Sequence, residues 1–427
     1  MSPQLHFIFV LLVLALPLSA DAASLRNAKP ESVGMSSERL ARIGPAMQPY
    51  IDRGEVAGTV TLVARDGKVV YRDARGYADV ATQRPLAMNS LFRLASQTKP
   101  VTAVAAMILL EQGKFRLDDP IARYIPEFAD IKVAELSPSG EVIMVKPAQP
   151  ITIRHLLTHT AGLSTGDVPE VSQKINEMAR QVGFGPNETL EETVLKYSRL
   201  ALGFHPGTRW EYSPAAGINV VGRLVEVLSG MSLWEFDRKY IFEPLGMNDT
   251  FYYVPPEKLD RYTVGYQRQR DGSFIMTDPA DGTSRFVREG QPKRLYAGAG
   301  GLVSTVDDYL RFAQMLLNGG ELDGVRILSP KTVELMTSPH AVGIPKIGNL
   351  AGNGSAFGLG VNVITDPVAW GEAASKGTFM WGGAFGTTFW IDPEEKLIGL
   401  YMMQLGRHQA LRIRGDYRAL VYGAITR

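Results

Sequence analysis

The chain has 427 residues, 45% of them hydrophobic and 21% charged, enough for one large domain or two intimately joined ones and far from the composition of disorder. Lys and Arg number 45 against 44 Asp and Glu, a net charge of +1, which argues against a broad basic surface and against nucleic acid as a partner. Cys is absent, so disulfides, Cys-ligated zinc, thiol nucleophiles and a Cys-linked lipid anchor are excluded.

The chain opens on an apolar run from Phe7 to Leu18, broken only by Pro17, and Ala20-Asp21-Ala22 follows as a small-x-small cleavage pattern. Together they predict a secretory signal peptide over residues 1–22, although no Lys or Arg precedes the run. The mature protein is then expected in the periplasm or outside the cell. A dozen or so apolar residues fall short of the about 20 that a membrane span needs, and no later stretch is long enough, so no stable membrane insertion is expected.

Ser36-Ser37-Glu38 opens a helical pattern that runs toward Gly54 with an interruption at Pro45. Thr59 to Arg65, the turn Asp66-Gly67, and Lys68 to Tyr71 read as a hairpin with a type I′ turn. In the middle of the chain, Ser232-x-x-Glu235 is a capping box whose helix is expected to stop before Pro244. Residues 250–296 are rich in Tyr, Asp, Gly and Arg with weak periodicity, which fits loops draped over a site or an irregular insertion. Ser304 or Thr305 caps the run Val306 to Leu317, closed by Asn318-Gly319-Gly320. Thr388 to Asp392, the turn Pro393-Glu394-Glu395, and Lys396 to Gln404 form a second hairpin, with a helical tail from about His408. Hairpins at both ends of a helical middle predict an α/β (α+β) fold, with one antiparallel sheet built from both chain ends and terminal helices on one face. The sheet part is expected over about 30–100 and 295–427, and a mainly helical part over about 101–294.

The chemistry concentrates in Leu94-Ala95-Ser96-Gln97-Thr98-Lys99-Pro100. Ser and Lys three apart share a helix face, and a desolvated amine can help take the proton of a serine nucleophile. Pro100 is tolerated only within the first four helical positions, which puts Ser96 at a helix N-terminus. There its backbone N–H can face a developing oxyanion. The run from Val101 to Leu110 is apolar nearly all round, as in a buried central helix. A second element is Trp210-Glu211-Tyr212-Ser213-Pro214, where Tyr212 is either an aromatic plug or a general base whose phenolate an adjacent Lys99 ammonium favours. A third is Trp381-Gly382-Gly383-Ala384-Phe385-Gly386, whose glycines allow a ligand close to a sheet edge or mark a plain bulge.

Three other features compete. Gly162-Leu163-Ser164-Thr165-Gly166 matches the nucleophile elbow of α/β-hydrolases, but the segment before it reads as helix and the segment after it does not start a strong one. His155 and His159 lack the Glu of a His-Glu-x-x-His zinc site and any evident third ligand, so they read as structural. His205, before Pro206-Gly207, reads as a turn partner.

The set resembles the penicillin-binding-protein-like serine hydrolases related to class C β-lactamases, and most of all their carboxylesterase branch, family VIII. The resemblance spans about residues 30 to 425. It rests on Leu91 to Pro100, on His155-Leu156-Leu157-Thr158-His159-Thr160-Ala161-Gly162-Leu163 and on Glu243-Pro244-Leu245-Gly246-Met247. Ala299-Gly300-Gly301-Leu302-Val303-Ser304-Thr305 and Trp381-Gly382-Gly383 complete it. It implies a β-lactamase/transpeptidase-like fold, Ser96 as acylated nucleophile, Lys99 as its proton partner, and Tyr212 as the base that relays the proton to the leaving group. It also implies an oxyanion hole of the Ser96 and Ala384 N–H groups, substrate binding along Trp381, Gly382 and Gly383, and no metal or organic cofactor.

Two departures favour esters over β-lactams. The family's Lys, His or Arg on the third strand is replaced by neutral Trp381, and its Tyr-x-Asn element by Tyr212-Ser213-Pro214. Anionic amides lose a charge partner and a polar clamp, while uncharged esters lose neither. The expected substrate is a small-molecule ester. The alternatives are a β-lactamase or D-Ala-D-Ala carboxypeptidase or acyltransferase with the same residues, and a silent binder of cell-wall peptides. Oligomeric state is not legible.

Overall fold

The computed structural model describes residues 25–185, 187–286, 295–348, 350, 352–409 and 411–427. The signal-peptide reading, residues 1–22, lies outside the described residues. Eight strands make one antiparallel sheet: β1 Gly58–Arg65, β2 Lys68–Asp79, β3 Arg84–Pro85, β4 Ser355–Phe357, β5 Asn362–Ile364, β6 Phe379–Gly382, β7 Thr388–Asp392 and β8 Leu397–Met402. Their spatial order is β4-β5-β6-β7-β8-β1-β2-β3. The two chain ends therefore join where β1 pairs with β8, Val60 opposite Met402. Asp66 and Gly67 both have positive φ, 50° and 70°, as a type I′ turn requires.

The period-two alternation of these strands divides their side chains between two cores. Val60 and Leu62 of β1, Phe389 and Ile391 of β7, and Ile398 and Leu400 of β8 face one core. Val63, Trp390, Leu397 and Tyr401 face the other. Five helices cover the faces or frame the site: α1 Ile43–Asp52, α2 Lys99–Glu111, α3 Ala216–Ser229, α4 Val306–Leu317 and α5 Ile413–Gly423. The terminal helices α1 and α5 share a core with Trp390 and Tyr401, through Met47 and Tyr417 among others. On the opposite face α4 lies on the sheet, its Tyr309 ring 5.1 Å from Phe389. The α2 helix is buried from Lys99 to Leu109. An apolar helix wrapped on all sides is what the sequence of α2 dictates.

Several boundaries differ from expectation. The break in the first helical pattern falls at Ala41-Arg42, and Pro45 sits in the first turn of α1, where no N–H is needed. The Ser232 helix runs through Pro244, because a π turn over Arg238–Phe242 widens the backbone before the proline, and it ends at Gly246 with φ 64°. The tail helix starts at Ile413, not at His408, whose buried ring bonds the Leu405 carbonyl at 2.8 Å. The described residues of 250–296 include two strands, Gly265–Arg268 and Phe274–Asp278, in a small sheet with Leu405–Gly406.

Gly399 lies opposite Trp390 in the β7–β8 pair, and a Cβ there would come within 2.1 Å of the indole. The Gly399→Ala variant is expected to lose about 1–3 kcal/mol of stability through overpacking. A denaturant midpoint equal to that of the parent protein would refute this.

Candidate active site

The nucleophile segment is a 3-10 turn, Ala95–Thr98, that leads into α2 at Lys99. The helix proper thus begins three residues after Ser96, and Pro100 occupies its second position, where a missing N–H costs nothing. Ala95 carries φ 45°, a left-handed conformation that a non-glycine residue adopts only under constraint. The constraint is close at hand. A Cβ on Gly383 would lie 2.1 Å from the Leu94 carbonyl, so the end of β6 presses directly on the turn that presents Ser96. The absence of a side chain at Gly383 lets the protein's own backbone approach this closely.

Lys99 is fully buried. Its Nζ donates to the backbone carbonyls of Pro214 at 2.7 Å and Ala299 at 2.8 Å, and it lies 3.2 Å from Ser96 Oγ. Burial lowers its pKa from 10.5 to about 7. Tyr212 leaves a short strand, Trp210–Glu211, and its Oη donates to Ser96 Oγ at 2.6 Å. The distant stretches read from the sequence meet at one oxygen atom.

The electrostatics correct one expectation. Tyr212 is not a resting phenolate: burial pushes its pKa up to about 12, while the Ser96 hydroxyl and the Trp381 indole pull weakly the other way. Lys99 Nζ sits 5.1 Å from the centre of the phenol ring rather than at its oxygen. The ring is held between His159, 4.9 Å away, and Trp381, 5.2 Å away. The Trp381 indole N–H is buried and makes no hydrogen bond of ordinary geometry.

Sequence reasoning placed His159 under a loop and missed what it supports. Its Nδ1 accepts the Ser213 N–H at 3.3 Å, and the Gly217 N–H in turn bonds Ser213 Oγ at 3.1 Å. The loop after Tyr212 is fixed by these bonds. Burial, with the Lys99 charge adding to it, holds His159 well below the usual imidazole range. It is therefore a neutral acceptor across the working pH range. Its place in His155-x-x-x-His159 drew attention to metal instead, yet His155 Nδ1 accepts the Thr152 N–H at 3.2 Å. Among the described residues no cluster of His, Asp and Glu could hold a metal ion.

Ser164 is also a structural partner. Its hydroxyl donates to Glu211 at 2.6 Å, and the Gly166 N–H reaches the same carboxylate oxygen at 2.9 Å. Glu211 precedes Tyr212, so the Gly-x-Ser-x-Gly loop braces the tyrosine strand. A helix, Ile153–Leu157, does precede that loop, but another one follows it, Pro169–Val182, contrary to expectation. Pro169 opens it at the position where proline is well accommodated. His205 meets the Ala148 N–H at 3.0 Å and Glu135 at 2.6 Å.

A cavity of about 610 Å³ opens beside Ser96. Its aromatic walls are Phe184, Tyr197, Tyr252, Tyr253 and Phe286. Three of these rings, Tyr252, Tyr253 and Phe286, come from the 250–296 segment, which fits the reading of loops draped over a site. Trp210 is 1% exposed and packs against His159 and Phe357.

The three-layer arrangement, with the serine turn wedged between the sheet and a buried helix, defines a β-lactamase/transpeptidase-like protein. The chain belongs to the β-lactamase family, whose model matches residues 44–423, and it is a serine hydrolase. Protein Rv1367c of Mycobacterium tuberculosis is 36% identical over 371 residues, covering 84% of this chain and 88% of its own. Esterase EstB of Burkholderia gladioli is 31% identical over 398 residues, covering 90% of this chain and 94% of its own. Among solved structures, EstCE1, a hydrolase with promiscuous acyltransferase activity, superposes with a TM-score of 0.74 at 28% identity, over 90% of this chain and 99% of its own.

Burial of Lys99 has a consequence for stability. Between pH 7 and 10.5 the unfolded chain binds a proton at this side chain that the folded protein does not, so its contribution to stability rises with pH across that window. The stability of the protein relative to a Lys99→Met variant is expected to climb from pH 7 to 10.5, measured by denaturant titration. A difference that stays flat with pH would contradict the depressed pKa.

Proposed function

We propose that the protein is an exported serine esterase that cleaves carboxylic esters through an acyl-enzyme on Ser96. The observation that carries this reading is the hydrogen-bonded order Tyr212–Ser96–Lys99. Two backbone carbonyls take both hydrogens of a neutral Lys99 amine, which leaves its lone pair for the Ser96 hydroxyl. Tyr212, held as a phenol, donates to the same oxygen. The Ser96 O–H is polarised from both sides.

In acylation Ser96 gives its proton to Lys99 as Oγ bonds to the ester carbon. The carbonyl oxygen, now negative, is received by the N–H groups of Ser96 and Ala384, in the seam where Gly383 meets Leu94. Tyr212 passes its phenolic proton to the departing alcohol oxygen, and the carbon–oxygen bond breaks. The phenolate so formed is next to the Trp381 indole, with the new Lys99 ammonium over its ring. The indole N–H holds a phenolate more tightly than a phenol, an interaction stronger in the transition state than at rest. In deacylation water gives a proton to Tyr212 and bonds to the acyl carbon. Ser96 departs with the proton that Lys99 returns, and the resting state is restored.

Esters are favoured over β-lactams because the strand beside Tyr212 presents neutral Trp381, and because Pro214 has its carbonyl committed to Lys99. The names of EstB and EstCE1 support the same class. Ser96→Ala is expected to lower kcat for p-nitrophenyl esters by more than about 10³-fold, with Ser164→Ala retaining most of it. In the parent protein kcat/KM should rise with pH and level off above about 7, where Lys99 is neutral. Activity that survives Ser96→Ala, or a stronger turnover of a chromogenic cephalosporin than of esters, would overturn the proposal. Export is supported by the Phe7–Leu18 run and Ala20-Asp21-Ala22. N-terminal sequencing of the protein from the native secretion route should begin at Ala23, and a retained Met1 would refute it.

A further inference from the structure

The cavity at Ser96 is one-sided. Ser96 borders it together with Ala95, Pro214 and Ala299, whereas Tyr212 and Trp381 do not. In the ester cleavage proposed above, the alcohol oxygen departs toward the Tyr212 phenol, because that phenol supplies its proton. The half of the ester that enters the cavity is therefore the acyl half. This step rests on the Ser96 reading, and the test below separates the two.

The chemistry of the walls is restrictive. Most polar groups of the aromatic walls are already engaged within the protein. Tyr252 Oη donates to Asp237 at 2.9 Å, Tyr253 Oη to the Leu295 carbonyl at 2.6 Å, and the Asn219 amide reaches Tyr197 Oη at 3.4 Å. What these residues offer a ligand is ring carbon. A volume of about 610 Å³ is far larger than an acetyl group fills and sits in the range of about 300–1,000 Å³ typical for drug-sized ligands.

Two charged groups also line the cavity. Glu188 is neutralised by Lys196. Arg285 is not paired in this way. Its guanidinium lies over the Phe286 ring at 4.9 Å, and no carboxylate among the described residues holds it. A stacked guanidinium keeps its in-plane N–H groups for an anion.

We infer that the cavity is an acyl site for bulky arylalkanoyl groups that bear an anionic group remote from the ester, with Arg285 selecting the charge. The side of the site next to Trp381 is neutral, so the recognition of charge is moved from the alcohol side to the acyl side.

The test uses three p-nitrophenyl esters: the acetate, the phenylpropanoate, and the phenylpropanoate with a para-carboxylate. In the parent protein kcat/KM should increase along that series, and the carboxylated ester should exceed its neutral counterpart by about tenfold, the size of one charge-assisted hydrogen bond. Arg285→Gln should bring that ratio close to one. A best rate on acetate, or a ratio that Arg285→Gln leaves in place, would overturn the inference. The free para-carboxyphenylpropanoic acid is then titrated calorimetrically into Ser96→Ala protein and into the Ser96→Ala, Arg285→Gln double variant. Binding to the first and at least tenfold weaker binding to the second support the site. Failure to bind a hydrolytically dead Ser96→Ala protein condemns the pocket alone. Hydrolysis that survives Ser96→Ala condemns the nucleophile, and with it the assignment of the acyl side.

Discussion

A single buried amine organises this molecule. Lys99 stands at the first position of α2 with no exposure to solvent, and its hydrogen bonds tie together the serine turn, the loop before α3 and the segment that ends at Ala299. An ammonium without water is costly, and the protein answers by shifting the group toward its neutral form. The same burial that weakens the fold at low pH supplies a base strong enough, and unprotonated enough, to take a serine proton. Burial, with the Lys99 charge adding to it, lowers the His159 pKa well below the usual range and so favours the neutral ring that accepts from the Tyr212 loop. Removal of solvent is thus the cause of both the chemistry and its cost.

The second constraint is close backbone approach. A sheet covered on both faces is rigid, and β6 uses that rigidity to hold Gly383 against the Leu94 carbonyl. Ala95 keeps its left-handed backbone because its neighbours leave no alternative, a strain of about 1–3 kcal/mol stored beside the nucleophile. The tyrosine is held by different means. His159 and Trp381 flank its ring, Glu211 ties its strand to the Ser164 loop, and Ser213 is pinned from both sides. The supports overlap, since Lys99 also bonds the Pro214 carbonyl and β6 touches both the serine turn and the tyrosine ring.

Much of this was legible in the residues. Asp66-Gly67 announces its turn because few residue pairs accept two positive φ angles, and Pro100 announces the helix start because it cannot donate a bond. The pairing of Ser96 with Lys99 was legible in their spacing, whereas Tyr212 stood between two readings until the resemblance, since separate stretches of chain carry no distance information. The π turn before Pro244 was invisible, because widening a helix leaves no pattern of its own. The protonation of Tyr212 was misjudged for a related reason: the amine was close by, but desolvation outweighs a neighbour that faces the ring and not the oxygen. Most of the cavity rings were hidden in segments without periodicity, where side-chain direction depends on tertiary contacts alone.

The closure of the sheet between β1 and β8 governs how the molecule is assembled in time. The inner strand β1 waits for a neighbour from near the carboxyl end, so a ribosome must finish nearly the whole chain before the central ladder can zip up. Such non-local pairing slows folding, because long loops close before any contact compensates them. A polypeptide that stays open this long remains threadable through a narrow channel, and it acquires its reactive centre only after its last strands are delivered.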